Sequence, residues 1–286
     1  MTTSELDAYL ARIGHDGPVR TDVRTLTEIH RAHITSIPYE ALEIQLGRES
    51  VLAEDAFFEK LVLRRRGGWC YEMNGLLTRA LRDMGFAVTR VGGAVARDLL
   101  GDQAAGNHLV GLVDLDRRYV ADVGLADGPL EPFPLEERRW DEGRLEFRLE
   151  RLADGWWRFH NHAHGLARSF DFTEEPRELP WYQEMCSALQ TQDFSPFVQF
   201  AIASRRTLSG FHALRDTTHF HVANGALTKR DITDGADYQA VLAMILGSDL
   251  GAEAETLWRR VEARAADRAQ KAELEAEPSD RDANSA

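Results

Sequence analysis

Cys70 is the side chain with the clearest potential for chemistry, because it is one of only two cysteines and stands at a predicted helix start. It follows the glycine pair Gly67 and Gly68 and precedes an amphipathic run at residues 76–84. Free backbone N–H groups and the positive dipole end at a helix start favour thiolate over thiol and lower the thiol pKa. The glycines allow a sharp turn and leave the backbone open to a substrate carbonyl. These features predict an activated cysteine nucleophile. The alternative is the buried, purely structural role that isolated cysteines usually have.

His108 and Asp122 could supply the base that such a nucleophile needs. His108 begins a predicted strand at 108–115, and Asp122 lies on the next predicted strand at 118–123, after a polar turn at 116–117. Antiparallel pairing through that turn brings the two side chains together within a small register slip. The aspartate would raise the pKa of the imidazole and fix its tautomer, and the imidazolium would hold the thiolate as an ion pair. The three residues therefore predict acyl transfer through a cysteine thioester.

The elements that must position these residues change character along the chain. The first 85 residues have helical periodicity, with a break at 14–18, and predict a helical bundle. Alternating and β-branched residues then predict strands that form an antiparallel sheet curling into a barrel, at 86–91, 108–115, 118–123, 145–152 and 155–161. The later segments predict helix at 180–206, strands at 207–232 with turns at 209–210 and 224–225, and helices at 237–246 and 253–275.

Four regions follow from this pattern. We expect a helical bundle with the nucleophile at 1–85, a β-barrel with the histidine and aspartate at 86–185, a helical linker with an α/β lid at 186–250, and a charged helix with a disordered tail at 251–286.

Composition limits the classes of partner. An apolar fraction of 43% with thirteen phenylalanines predicts a folded globular protein. A formal net charge of −13 argues against nucleic acid or an anionic membrane as a general partner. The N-terminus lacks the pattern of a signal peptide, no apolar run reaches about 20 residues, and the two cysteines show no pairing pattern. We therefore expect a cytoplasmic protein.

Several motifs together resemble one known family. The stretch RGGWCYEMN at 66–74 resembles the active-site signature of the arylamine N-acetyltransferases, and IPYEAL at 37–42 resembles the element that precedes it. YVADVG at 119–124, with PFPL at 132–135, resembles the strand and loop that carry the family's aspartate. SPF at 195–197 resembles the segment before the family's third domain. The resemblance spans residues 5 to about 250, with the motifs in the same order.

This resemblance implies an α+β fold: a helical bundle, a central antiparallel β-barrel and a C-terminal α/β lid, with a cysteine-protease-like Cys-His-Asp arrangement. By matching position, the triad is Cys70, His108 and Asp122. It also implies a ping-pong reaction in which acetyl-CoA acetylates the cysteine and an arylamine, arylhydrazine or arylhydroxylamine then takes the acetyl group. Acetyl-CoA would be a co-substrate, with no permanently bound cofactor, and a homo-oligomer is possible.

Motif position also suggests residues that contact the substrate or CoA, namely Tyr39, Arg66, Trp69, Gly128 and Phe197. Trp69 and Phe197 could be core residues alone, although their motif positions favour lining the acyl pocket. Arg66 could equally be a structural ion-pair partner.

Two acidic residues near these positions raise separate questions. Glu72 could support the triad or only cap the helix. Asp127 lies in the loop expected near the CoA pyrophosphate, where a carboxylate would repel it.

The remaining histidines and the second cysteine predict little chemistry. His160, His162 and His164 alternate along a strand, but no cysteine or carboxylate completes a ligand set, so we predict no metal site. We expect solvent or lid positions for His219 and His221, and a packing role for Cys186.

Three other functions are open on the sequence alone. An amide synthase of the same fold would use the triad to close a polyketide onto its own aryl amine. A papain-like or transglutaminase-like hydrolase would pass the acyl group to water or lysine. A binding module without catalysis is the third.

Overall fold

The computed structural model describes residues 1–276, with side chains through residue 271. The tail predicted to be disordered, 277–286, lies outside the described residues. Within the described part, no helix is long and apolar enough to cross a membrane.

The N-terminal part is mainly helical, as predicted. Thr2 caps the first helix in a reciprocal capping box with Glu5, and Gly14 ends it in a left-handed conformation at φ 72°. The helices of the described chain are α1 Thr3–Ile13, α2 Val23–Ser36, α3 Leu42–Gln45, α4 Glu54–Phe58, α5 Cys70–Asp83, α6 Arg97–Leu100, α7 Gln183–Thr191, α8 Pro196–Gln199, α9 Gly235–Leu246 and α10 Ala252–Ala276. A π-helical turn, Glu59–Leu63, follows α4, and 3-10 turns lie at Gly101–Ala104 and Leu179–Tyr182.

The strands form two antiparallel sheets. They are β1 Tyr39–Glu40, β2 Ala87–Val95, β3 His108–Asp114, β4 Arg118–Ala121, β5 Phe133–Pro134, β6 Arg138–Glu142, β7 Leu145–Arg151, β8 Trp157–His160, β9 Ser169–Pro176, β10 Ile202–Thr207, β11 Gly210–Arg215, β12 Thr218–Ala223 and β13 Ala226–Asp231. The larger sheet has the order β5-β4-β3-β2-β9-β8-β7-β6, and the smaller has β1-β10-β11-β12-β13.

The larger sheet curls strongly. Phe133 on one end strand and Trp140 on the other have ring centroids 4.8 Å apart, and Phe159 stacks on Phe133 at 5.4 Å. These rings belong to a buried aromatic core inside the curl. The α+β class with a curled antiparallel sheet is therefore confirmed, whereas backbone closure into a barrel stays a prediction.

The smaller sheet differs from prediction in two places. β1 lies inside the region predicted to be only helical, and it pairs with β10, with Tyr39 opposite Ser204. β10 itself lies where helix was predicted up to residue 206. β1 has only two residues and its strand partner lies more than 160 residues away, so it carries little local signal. β10 forms a local hairpin with β11, and the error there is a helix boundary placed too late, since α8 ends at Gln199. The predicted turn at 224–225 is confirmed by the β12–β13 pairing, whereas the β10–β11 turn lies at 208–209, one residue before the predicted 209–210.

The long helix α10 packs on α9 rather than standing free. Leu257 and Val261 of α10 are fully buried with Tyr238 and Leu242 of α9. The first half of the predicted charged segment is thus part of the core under the smaller sheet. The boundaries predicted at residues 85, 185 and 250 stay predictions.

Candidate active site

The start of α5 is built by the close approach of two backbone segments. Glu40 donates its N–H to the Gly68 carbonyl at 2.9 Å, and Gly68 donates to the Pro38 carbonyl at 3.2 Å. A Cβ on Gly67 would lie 2.4 Å from the Pro38 oxygen, so only glycine fits there. The glycine turn therefore fixes the point at which the helix, and with it Cys70, begins.

Cys70 is buried against the start of β3. It is 3% exposed, and its Sγ lies 3.8 Å from the Asn107 carbonyl oxygen. On the other side, a Cβ on Gly124 would lie 3.0 Å from the Cys70 Cα. The thiol thus sits between the α5 start and the residues next to His108 and Asp122.

Burial raises the pKa of the Cys70 thiol, and the nearby Cys186 and Asp122 act in the same direction. The backbone N–H of Tyr71 acts in the opposite direction but does not outweigh them. The N–H at the helix start thus acts on the thiol pKa in the predicted direction, but burial outweighs it and the net shift is upward. A neutral thiol in this position needs a neighbouring base to take its proton.

His108 and Asp122 are hydrogen-bonded, as the hairpin predicted. The His108 Nε2 lies 2.7 Å from the Asp122 Oδ2, and both side chains are buried. The observed register pairs Gly111 with Ala121, so Asp122, just beyond the end of β4, is a diagonal neighbour of His108. The turn is centred on Asp116, a shift of less than one residue from the predicted position.

Asn74 is a member of this site that sequence reasoning missed. Its Nδ2 donates to the Asp122 Oδ1 at 2.7 Å and to the Leu109 carbonyl at 2.6 Å, and its Oδ1 accepts from the Val123 N–H at 2.8 Å. The only signal was its spacing, one helical turn after Cys70 on the same face of α5. Asn74 therefore ties the cysteine helix to both strands of the hairpin.

Asp122 is held in its charged form by its surroundings. Burial alone would raise its pKa, but the neighbouring His108 and hydrogen bonds from His108, Asn74 and the Gly124 N–H lower it below its ordinary value. A charged aspartate can orient the imidazole and stabilise its protonated form.

An aromatic cluster lies beside the thiol and contains three of the predicted substrate residues. Trp69 makes edge contacts with Tyr71 at 5.0 Å and with Phe197 at 5.2 Å. Tyr39 is buried in the same cluster, and so is Cys186, which agrees with a packing role. The structure thus brings Tyr39, Trp69 and Phe197 together next to Cys70.

Comparison with known proteins decides the family. The sequence profile of a family described as N-acetyltransferase matches residues 22–254. An arylamine N-acetyltransferase from Escherichia coli (strain K12) is 32% identical over 247 residues, which are 84% of this chain and 87% of that protein. This chain belongs to the arylamine N-acetyltransferase family.

Two further relatives bear on the reaction. The structure of the Mycobacterium marinum arylamine N-acetyltransferase in complex with CoA matches with a TM-score of 0.80 and 25% identity, covering 90% of this chain and 98% of that one. Proansamycin X synthase from Amycolatopsis mediterranei (strain S699) is 29% identical over 266 residues, 88% of this chain and all of that protein.

The other two predicted contact residues of this N-acetyltransferase are engaged within the protein. The Arg66 Nη1 donates to the Glu253 Oε2 of α10 at 2.9 Å, which favours the structural ion pair over a substrate contact. The Gly128 carbonyl accepts from the buried Arg206 at 2.9 Å. Neither residue lies in the aromatic cluster beside Cys70.

Glu72 caps α5 and belongs to a buried charge cluster. Its Oε2 accepts from the Trp69 N–H at 3.2 Å and from the Lys60 Nζ at 2.7 Å. Lys60 also lies 3.5 Å from Glu43 and 3.9 Å from Glu40. Burial alone would lower the Lys60 pKa, but the three carboxylates raise it above its ordinary value. Arg64 also pairs with Glu43 at 3.1 Å and Arg66 lies 4.0 Å from Glu40, so Glu72 is the carboxylate that depends on Lys60.

We therefore expect Lys60→Met to destabilise this N-acetyltransferase by about 3–5 kcal/mol, because it leaves the buried Glu72 carboxylate without its cation. Urea unfolding followed by tryptophan fluorescence measures the loss. Lys229→Met, at an exposed lysine on β13, is the control and should change stability by less than about 0.5 kcal/mol. Equal stability of the two variants would contradict this account of the cluster.

The Asp127 carboxylate, which could have repelled CoA, is engaged within the protein. It is fully buried, and its carboxylate accepts from the Asn161 Nδ2 at 2.8 Å and the Leu166 N–H at 2.6 Å. Burial raises its pKa, although His162 acts in the opposite direction. The carboxylate holds together the loops beside β8.

Asp127→Asn should consequently lower the free energy of unfolding by about 1–3 kcal/mol. The NH₂ group of the asparagine would face one of the two donors, the Asn161 Nδ2 or the Leu166 N–H, and that hydrogen bond would be lost. The KM for acetyl-CoA should not fall. Thermal unfolding and initial rates test the two statements, with the exposed Asp141→Asn as control. A tighter KM without loss of stability would show that the carboxylate does repel the co-substrate.

The remaining histidines are held within the protein. His160 bonds Glu150 at 2.7 Å, His162 lies 3.2 Å from the Asp127 carbonyl, and His164 lies 3.1 Å from the Gly225 carbonyl. His219 and His221 lie on β12 in the smaller sheet, half-buried. Among the side chains described, those of residues 1–271, no group of three potential ligands is arranged to hold a metal.

Proposed function

We propose that this enzyme transfers an acetyl group from acetyl-CoA, through a thioester on Cys70, to the nitrogen of small aromatic amines, hydrazines or hydroxylamines. The observation that carries the proposal is the hydrogen-bonded His108–Asp122 pair at the β3 start, against which the Cys70 end of α5 packs.

The first half-reaction begins with proton transfer from the Cys70 thiol to His108. Because Asp122 engages the Nε2 of the ring, the Nδ1 is the atom that accepts this proton. The sulfur attacks the thioester carbonyl of acetyl-CoA, and the C–S bond to CoA breaks as the leaving thiolate recovers the proton from His108. Acetyl-Cys70 and free CoA are the products.

The second half-reaction regenerates the thiol. An aromatic amine is mostly neutral at pH 7, so its nitrogen can attack acetyl-Cys70 without first losing a proton. The nitrogen then gives a proton to His108, the C–S bond to Cys70 breaks, and His108 returns the proton to the sulfur. The rings of Tyr39, Trp69 and Phe197 offer an apolar wall for the acceptor ring.

Intact-protein mass spectrometry tests this order of events. Incubation with acetyl-CoA alone should add one acetyl group, located on Cys70 by peptide mapping, and later addition of aniline should remove it as acetanilide. Amine acetylation that proceeds without any acetylated protein would overturn the thioester route.

An amide synthase is the second candidate, favoured by the full-length match to proansamycin X synthase. Such an enzyme would load its acyl group from a polyketide donor and would not require acetyl-CoA. Absence of acetyl loading on Cys70, together with cyclisation of a thioester carrying its own aryl amine, would favour that function.

A further inference from the structure

An arginine-rich cavity lies on the far side of the loop that leads to Cys70. It has a volume of about 280 Å³, and its lining includes Arg12, Arg64, Arg65 and Arg205 together with Ser36 and Ser248. These residues come from the ends of α1, α2 and α9, from the loop before the cysteine motif and from β10. The protein as a whole has a formal net charge of −13, so a cavity lined by four arginines is a positively charged site on an acidic protein.

Three of the four guanidinium groups have no acidic partner among the side chains of residues 1–271. Within that range, none of Arg12, Arg65 and Arg205 lies within 4.0 Å of a carboxylate oxygen. Only Arg64 is paired, with Glu43 at 3.1 Å. The acidic neighbour in sequence, Asp249, accepts instead from the Gly251 N–H at 2.8 Å.

Part of this positive charge serves the fold. The Arg12 Nε donates to the Leu61 carbonyl at 2.8 Å and its Nη1 to the Ser36 carbonyl at 3.0 Å, and Arg205 donates through Nε to the Ile245 carbonyl. Arginines commonly bond the last carbonyls of helices in this way. A guanidinium has five N–H donors, however, so these bonds leave donors on Arg205 and all those of Arg65 for another acceptor.

The charges also crowd one another. Burial lowers the pKa of Arg12 to about 10, and Arg65 and Arg205 act in the same direction. Like charges held together in a partly buried cavity are relieved by an anion that reaches all of them.

We propose that this cavity binds a multivalent phosphate anion, of the class of pyrophosphate or a small phosphorylated metabolite. The planar donors of arginine match the oxygens of phosphate, and three uncompensated cations match an anion with several charges. Ser248 adds a hydroxyl donor to the lining, whereas the Ser36 hydroxyl already donates to the Ile13 carbonyl at 2.9 Å. Because Arg12 also bonds the backbone at Leu61, the occupied cavity would stabilise the segment that leads to Cys70.

Isothermal titration with inorganic pyrophosphate at fixed ionic strength tests the site, with inorganic phosphate and acetate as anions of lower charge. We expect saturable binding of pyrophosphate, weaker binding of phosphate and none of acetate. Arg65→Asn and Arg205→Gln should each weaken pyrophosphate binding about tenfold or more. Asparagine is chosen because Arg65 has a φ of 53°, which asparagine tolerates. Arg24→Gln removes an exposed arginine elsewhere and should leave the affinity unchanged.

Competition by CoA identifies the source of the phosphate. If CoA displaces pyrophosphate and the displacement depends on Arg65, the cavity holds phosphates of the co-substrate; if it does not, the ligand is a separate metabolite. Absence of saturable pyrophosphate binding, or equal weakening by all three variants, would overturn the proposal. The exposed Arg65 keeps the test valid should Arg205→Gln fail to fold.

Discussion

Replacing Cys70 with serine is expected to lower acetyl transfer by at least about three orders of magnitude and to abolish acetyl loading of the protein. A serine hydroxyl is far less acidic than a thiol, and the buried position that already raises the pKa of Cys70 would disfavour the alkoxide further. Initial rates with acetyl-CoA and an arylamine, together with intact mass, measure both effects.

The chain supplies its own control for this experiment. Cys186 is buried in the same aromatic cluster, but its Sγ accepts from the Gln190 Nε2 at 3.5 Å. Cys186→Ser should retain loading and most of the rate. Loss of loading in Cys186→Ser, or its retention in Cys70→Ser, would contradict the assignment of the nucleophile.

Asp122→Asn is expected to lower kcat/KM by about 10³–10⁴-fold. The carboxylate accepts three hydrogen bonds, from His108, Asn74 and the Gly124 N–H. An asparagine must turn its NH₂ group toward at least one of these donors. It would then lose either the hydrogen bond that orients the His108 imidazole or the one from Asn74 on α5. Steady-state kinetics measures the loss, and Asp114→Asn, an exposed aspartate on the same hairpin, should keep the wild-type rate.

The same substitution should change the response of stability to acid. The folded pKa of Asp122 is below its ordinary value, so the stability that it contributes is fully present above the unfolded pKa of about 4. That contribution is lost as the pH falls through the lower folded value. The free energy of unfolding, measured with urea between pH 7 and pH 3, should therefore fall more steeply with decreasing pH for the wild type than for Asp122→Asn. Equal slopes would contradict this charge state.

The pairing of His108 with Asp122 could be predicted from sequence because a short polar turn joins their strands, and a hairpin brings its ends together whatever the rest of the chain does. The place of Cys70 at a helix start was equally local, being set by the glycine pair and the periodicity that follows. Both predictions depend on contacts between residues close in the chain.

The features that could not be predicted depend on distant parts of the chain. The pKa of Cys70 depends on how deeply other elements bury it, and the inward turn of Asp127 depends on Asn161 and Leu166. β1 was not predicted because its two residues pair with a strand more than 160 residues away in the chain. Asn74 was not predicted because the role of an asparagine in a helix depends on its hydrogen-bond partners, and the sequence does not show them.

The bridge from the Gly68 carbonyl to β1, and from β1 to β10, has a consequence for the evolution of the protein. The turn that presents the sulfur is the continuation of a hydrogen-bond ladder whose other strands come from the last third of the chain. A gene shortened at its 3′ end would therefore encode a protein in which the turn before Cys70 had lost the strands that support it. No atom of the reacting groups would have been removed. Selection on the chemistry is for this reason also selection on residues that never meet the substrate.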